Sequence, residues 1–256
     1  SDVYKRQNIS GAGSLKWGQG VFCNLQNKSR SPGLGAGASL HISAIAKEQR
    51  FDIYAISFHY GQRDTHELKC AEIIAKTMPG SDHKLVNIDL GQFGGSSLTD
   101  DIEVPKGRNT QDMAHGIPVT YVPARNTVFL SYALAWAEVI GCLDIFIGAN
   151  AIDYSGYPDC RPEFIEAYER MANLATKSGA EGSDRMKINA PLIDLTKAQI
   201  IQKGLALNVD YSTTSSCYDP SPNGIPCCKC DSCLLRAKGF AEIGIADPLN
   251  LKFGLF

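Results

Sequence analysis

The sequence has almost no excess of charge of either sign. Its 25 Lys and Arg stand against 27 Asp and Glu, a formal net charge of −2 with a pI near 6.2. Attraction to a polyanion needs a basic field that this chain lacks, so direct nucleic-acid binding is not expected. Long apolar runs are missing too. No stretch approaches the ~18 residues of a membrane span, and no basic segment leads into an apolar one near the first residue. A soluble, cytoplasmic protein with no membrane partner is therefore expected. Internal repeats, charge blocks and long linkers are absent. The phosphate-binding pattern Gly-x4-Gly-Lys-Ser/Thr occurs nowhere, which removes that class of nucleotide site. Gly33-x-Gly35-x-x-Ala38 satisfies the dinucleotide pattern formally, but no strand is expected before it.

What remains is ordinary globular text: 256 residues, 44% hydrophobic and 20% charged, enough for one large domain or one domain with a small appendage. Residues 1–40 are rich in Ser, Gly, Asn and Gln, with only Val21-Phe22-Cys23 as a short apolar run, and no element is expected there. From residue 51 strand and helix patterns alternate. Strands are expected at 51–58, 84–90 and 143–148, with a short edge strand at 188–192. Helices are expected at 67–76, 127–140, 162–175, 196–207 and 231–243. Alternation of this kind predicts an α/β fold with a mostly parallel, doubly wound sheet covered by helices on both faces. The division expected is an aberrant or poorly ordered segment 1–40, an α/β domain 41–210, and a turn-rich C-terminal region 211–256 packed on it. The connection 91–119 is long and polar, and reads as a lid or substrate loop.

The strongest local chemical signal is in that C-terminal region. Nine cysteines are too many for a chain of this size that needs no disulfide staples. Cys217, nine intervening residues, then Cys227-x2-Cys230-x2-Cys233 is a spacing at which four thiolates surround one tetrahedral Zn²⁺. Free buried thiols or a disulfide pair are the alternatives, and neighbouring Cys228 leaves the register of the ligand set open. A site filled by four sulfurs is closed, hence structural; such sites contribute ~10–16 kcal/mol in small peptides.

Three other groups sit where ligands bind. Residues 148–161, Gly-Ala-Asn-Ala-Ile-Asp-Tyr-Ser-Gly-Tyr-Pro-Asp-Cys-Arg, follow an expected parallel strand, the place where open α/β sheets hold ligands. Tyr154, Tyr157, Asp153, Asp159, Cys160 and Arg161 suit a flat, hydrogen-bonding, anionic heterocycle, although a plain turn is the alternative. Arg125-Asn126 opens one helix and Lys197 stands in the first turn of another, positions favourable to phosphate, although solvated surface is the alternative. His59-Tyr60-Gly61-Gln62-Arg63 is a further strand-end loop.

Taken together, Tyr60-Gly61-Gln62-Arg63, Val122-Pro123-Ala124-Arg125-Asn126, Asp153-Tyr154-Ser155-Gly156-Tyr157-Pro158-Asp159-Cys160-Arg161 and the four-cysteine tail resemble the 7-cyano-7-deazaguanine synthases of queuosine biosynthesis, the QueC family. The resemblance runs in order from about Ala44 to Pro248. It implies a PP-loop pyrophosphatase-type fold, a homodimer, a structural zinc, and an ATP-dependent ligase that turns 7-carboxy-7-deazaguanine and ammonia into the 7-cyano product. It also implies roles. Lys197, Arg125, Asp153 and Cys160 would be catalytic. Tyr154, Tyr157, Asp159, Arg161, Gln62 and Arg63 would hold the deazapurine. Gly35, Ser39, Arg125 and Lys197 would meet ATP with its Mg²⁺. The family's Ser-Gly-Gly-x-Asp-Ser loop falls on Leu34-Gly35-Ala36-Gly37-Ala38-Ser39, where only Gly35 and Ser39 fit. Residues 1 to about 40 accordingly read as a shifted frame or wrong start, since the family text resumes at Ala44. The alternatives are another adenylating enzyme of the same fold, tRNA-modifying or amidating, and a non-catalytic, zinc-stabilised deazaguanine-binding relative.

Overall fold

The computed structural model describes residues 18–24, 35–62, 82–109, 112–113, 116–150, 156–182 and 184–255. Five strands are present among them: β1 Gly18–Asn24, β2 Phe51–His59, β3 Asp82–Asn87, β4 Asp144–Phe146 and β5 Lys187–Asn189. They form one sheet in the order β3-β2-β1-β4-β5, with each adjacent pair parallel. The helices described are α1 Gly35–Glu48, α2 Arg125–Ile140, α3 Pro162–Ala175, α4 Lys177–Glu181, α5 Lys197–Ala206, α6 Asp231–Glu242 and α7 Pro248–Phe253. No helix among the described residues is long and apolar enough to cross a membrane.

Strand side chains alternate between faces, and two hydrophobic clusters divide accordingly. Ile56 and Phe58 of β2 and Ile145 of β4 join Phe129, Leu130 and Ala133 of α2 and Ile165 and Tyr168 of α3. Phe58 and Phe129 stack with ring centroids 4.1 Å apart. Ile53 and Phe146 point the other way, to Ile42 and Ile45 of α1, Ile200 and Ile201 of α5 and Phe240 of α6. Burial on both faces is why β2 reads as a near-continuous apolar run, and it makes the sheet doubly wound as expected.

The strand at the centre of this sheet, β1, lies where the sequence predicts no element, and α1 already begins at Gly35. Only Val21-Phe22-Cys23 signals it; pairing along β2 over Gly18–Asn24 and along β4 at Gly20–Phe22 makes it a strand. Tertiary pairing overrides the weak local text. The other expected elements appear within a few residues, β4 shortened to Asp144–Phe146 and β5 at the sheet edge. The expected helix 67–76 lies outside the described residues, and α7 was not anticipated.

The long connection before α2 is docked rather than loose. Ser96, Ser97, Leu98 and Val104 are buried, the Ser97 amide donates to the Val119 carbonyl at 2.9 Å, and Gly107 donates to Lys229 at 2.8 Å. Lys106 forms an antiparallel bridge with Cys230, and Arg108 pairs with the buried Asp231 carboxylate. At the C-terminal end, the buried Arg236 guanidinium donates to both Asp247 oxygens at 2.6 and 2.7 Å, to Thr214 and to the Tyr211 carbonyl. Such a pair is fully hydrogen-bonded, so it fixes α7 against α6 without leaving a buried charge unmet.

Candidate active site and cysteine cluster

Chain order β1, β2, β3 runs toward one edge of the sheet, and β4, β5 toward the other. The reversal opens a crevice between the carboxyl ends of β1 and β4, where ligands of open α/β sheets bind. The chemically dense string 148–161 follows β4, and its described first residues, 148–150, leave the carboxyl end of that strand beside this crevice. Asp153 and Tyr154 lie outside the described residues, as does Arg63. Gly35 and Ser39 fall within α1.

The described part is a buried polar cluster. Arg125, 2% exposed, opens α2. Its Nη1 donates to Tyr60 Oη at 3.4 Å, and the guanidinium carbon lies 5.5 Å from the Tyr60 ring centre and 5.8 Å from that of Phe129. Burial pulls its pKa down, but Tyr60, Asp159 and Cys160 outweigh burial and hold the guanidinium above its ordinary value. The residue before it, Ala124, adopts φ 51°, a left-handed conformation that offers no side-chain cap. The missing cap comes from far along the chain: Asp159 Oδ2 accepts the Asn126 amide at 3.0 Å. A carboxylate at a helix N-terminus is favourable electrostatically.

Asn126 completes the junction. Its Nδ2 donates to the Asp159 carbonyl at 2.8 Å and to Cys160 Sγ at 3.2 Å, clamping the Pro158–Cys160 turn onto the start of α2. Burial raises the Asp159 pKa, with Arg125 and the Asn126 amide opposing. Tyr157 is buried, its hydroxyl 2.7 Å from Thr120 Oγ1, and burial pushes its pKa well up. The turn after β2 is sharp: Gly61 has φ 82°, and a Cβ there would stand 3.0 Å from Asp89 Oδ1. Gln62 closes that turn on itself, accepting from the Tyr60 amide at 2.7 Å. Arg161 is exposed beside the turn, and Pro162 opens α3. Lys197, 5% exposed, opens α5.

The cysteines converge separately. The Sγ atoms of Cys217, Cys227, Cys230 and Cys233 all lie within 4.8 Å of one another. Backbone amides point at the sulfurs: Cys227 N at 3.1 Å and Asp219 N at 3.4 Å from Cys217 Sγ, and Cys230 N at 3.3 Å from Cys227 Sγ. The thiols cannot ionise independently. Hydrogen bonds from Cys217, Cys230 and Cys233 hold Cys227 low, while Cys217 is pushed up by its bond to Cys227 and Cys233 by its bond to Cys217. A bound cation relieves that competition, so the donor set fits a metal ion. Cys228 stands apart from the four. At φ 56° it is exposed and turned away, its Sγ 3.7 Å from the Pro226 carbonyl.

Sequence reasoning missed the clamp role of Asn126, although it adjoins Arg125. It also missed Thr120, and Tyr218, whose buried hydroxyl has no hydrogen-bond partner among the described residues.

Fold and site together define a doubly wound α/β protein with a buried polar cluster around Arg125 at the start of α2 and a four-thiol cluster able to hold a metal ion on its C-terminal region. The family model described as "Queuosine biosynthesis protein QueC" matches residues 34–244. A 7-cyano-7-deazaguanine synthase of Desulfatibacillum aliphaticivorans is 66% identical over 205 residues, 80% of this chain and 88% of that protein. One from Citrifermentans bemidjiense is 65% identical over 207 residues, 81% of this chain and 90% of that protein. The chain belongs to the QueC family of queuosine biosynthesis, and the PP-loop type of α/β fold expected from the sequence goes with that membership.

Proposed function

We propose that the chain is an ATP-dependent ligase that converts 7-carboxy-7-deazaguanine and ammonia into 7-cyano-7-deazaguanine. The observation that carries the reading is the clamp of the Asp159-Cys160 turn onto the Arg125 end of α2, because it puts a buried cation beside the segment that follows β4. A carboxylate is a poor electrophile. ATP converts its oxygen into a leaving group and ammonia displaces that group to give an amide; a second ATP activates the amide oxygen, which departs with the activating group as the nitrogen gives up its two protons, leaving the nitrile. Stabilising phosphate and oxyanion charge dominates such steps. On this reading Arg125 and Lys197, at the starts of α2 and α5, supply positive charge to phosphate and carboxylate, and Gly35 and Ser39 of α1 meet ATP. Tyr154, Tyr157, Asp159, Arg161, Gln62 and Arg63 shape the deazapurine pocket, Asp153 assists Mg²⁺ or substrate, and Cys160 lines the pocket. Mg²⁺ accompanies ATP and neutralises its phosphate oxygens. Zn²⁺ on Cys217, Cys227, Cys230 and Cys233 has a structural role, tying α6 and the 104–109 strap together. The working form is a cytoplasmic homodimer. Turnover with nitrogen-15 ammonium tests the reading: the label is expected in the nitrile, and an unlabelled nitrile or none at all refutes it.

A further inference from the structure

Lys197 is packed against α6 on one side, and the backbone that leads into its helix is fastened from the end of β4 on the other. On one side α6 carries Gly239 in its interior, where a Cβ would lie 2.5 Å from Lys197 Cγ and 2.9 Å from Ile201 Cδ1. Glycine inside a helix costs about 0.5–1 kcal/mol relative to alanine, and here it makes the groove in which the aliphatic stem of Lys197 lies. On the other side stands Asn150, 1% exposed, four residues beyond the end of β4 in the segment at the switch point. Its Nδ2 donates to the Leu192 carbonyl at 2.9 Å and to the Leu195 carbonyl, two residues before Lys197. One amide therefore fastens the carboxyl end of β4 to the entry of α5, the Thr196-capped helix that Lys197 opens. Its Oδ1 is buried with no hydrogen-bond partner among the described residues. A buried acceptor left unmet costs stability, so folding alone does not account for this side chain.

We infer that Asn150 is a positioning residue of the reaction: by holding the Leu192 and Leu195 carbonyls it sets the entry of α5 and with it Lys197. The inference rests on the functional reading above for the role of Lys197, while the clamp itself is independent of it. An error of about 1 Å in a charged group at a reacting centre costs on the order of a hundredfold in rate.

The test is a double-mutant cycle on the full chain with Asn150→Ala, Lys197→Met and both together. Asn150→Ala is expected to lower kcat for nitrile formation by about ten- to a hundredfold, and the double variant to be no slower than Lys197→Met alone. A residue that served only folding would slow both backgrounds by the same factor. Multiplicative effects, or a wild-type kcat for Asn150→Ala, overturn the inference. If Asn150→Ala does not fold, the isosteric Asn150→Asp, which loses both donors when ionised, takes its place in the cycle with the same expectations. Amide hydrogen exchange over 193–200 gives a readout that needs no turnover. Faster exchange in the Asn150 variant supports the clamp, and unchanged exchange overturns it. Wild-type chain that makes no nitrile while the exchange effect is present would instead defeat the functional reading.

Discussion

Replacing Asn126 with Ala removes one amide and leaves almost everything else in place. The backbone N–H of residue 126 still reaches Asp159 Oδ2, but the bonds to the Asp159 carbonyl at 2.8 Å and Cys160 Sγ at 3.2 Å disappear. A buried carbonyl deprived of its donor costs about 1–3 kcal/mol. Part of that is returned, because Asn126 Oδ1, itself buried with no partner among the described residues, leaves with the side chain. A net loss of roughly 1–2 kcal/mol is expected, which for a chain of this size lowers Tm by about 2–8 °C. Activity should fall further than stability. The Pro158–Cys160 turn holds Asp159 against the Arg125 end of α2, and its release displaces that carboxylate relative to the guanidinium. A drop in kcat/KM of about tenfold or more is expected at temperatures where the variant is fully folded. Thermal unfolding by circular dichroism, with steady-state nitrile formation well below the midpoint, measures both. An unchanged Tm together with unchanged turnover would refute the clamp.

Cys230→Ser is expected to reduce bound metal below one per chain and to speed hydrogen exchange over 104–109, because Cys230 also bridges Lys106; metal retained at full stoichiometry, measured by atomic emission, would contradict the four-cysteine ligand set. Asp159 has a pKa raised chiefly by burial, so its ionisation opposes folding. Its contribution is greatest below about pH 3.9, the unfolded value, and declines as pH rises toward the folded one. Asp159→Asn removes this slope, so denaturant titrations should show the variant gaining on the wild type with rising pH in that window; a gain in the opposite direction would mean that Arg125 outweighs burial. Gly204→Ala places a Cβ 2.2 Å from Tyr211 Oη and 2.3 Å from His41 Nε2, where α1 and α5 meet. A loss of about 1–3 kcal/mol is expected in urea unfolding, and a neutral result would show that this contact yields.

The legible parts of this molecule are those whose chemistry is local. The cysteine spacing encodes its own geometry, since Cys-x2-Cys turns aim two sulfurs at one point whatever surrounds them. Pro162 at the start of α3 and the Thr196–Gln199 capping box of α5 likewise mark their helices from within the segment. Long-range arrangements left weaker traces. β1 is a strand because β2 and β4 flank it, and its Gly-Gln-Gly opening carries no strand signal. The cap of α2 is supplied by Asp159, thirty-three positions away, so neither Ala124 nor its neighbours hint at it. Residues 104–109 belong to a connection that reads as a lid or substrate loop because it is long and polar; that their backbone is anchored on the cysteine region has no sequence signal. Asn150 is one ordinary residue in a suggestive string; only the two carbonyls it meets reveal what its amide does.

The most direct test of the account is mass-spectrometric turnover with 7-carboxy-7-deazaguanine, MgATP and ammonium, run on this chain beside a version with Ser-Gly-Gly-x-Asp-Ser restored at positions 34–39. The account predicts the 7-cyano product from the restored chain and slower formation by the chain with Leu34-Gly35-Ala36-Gly37-Ala38-Ser39. Absence of the product from both would contradict the proposed reaction.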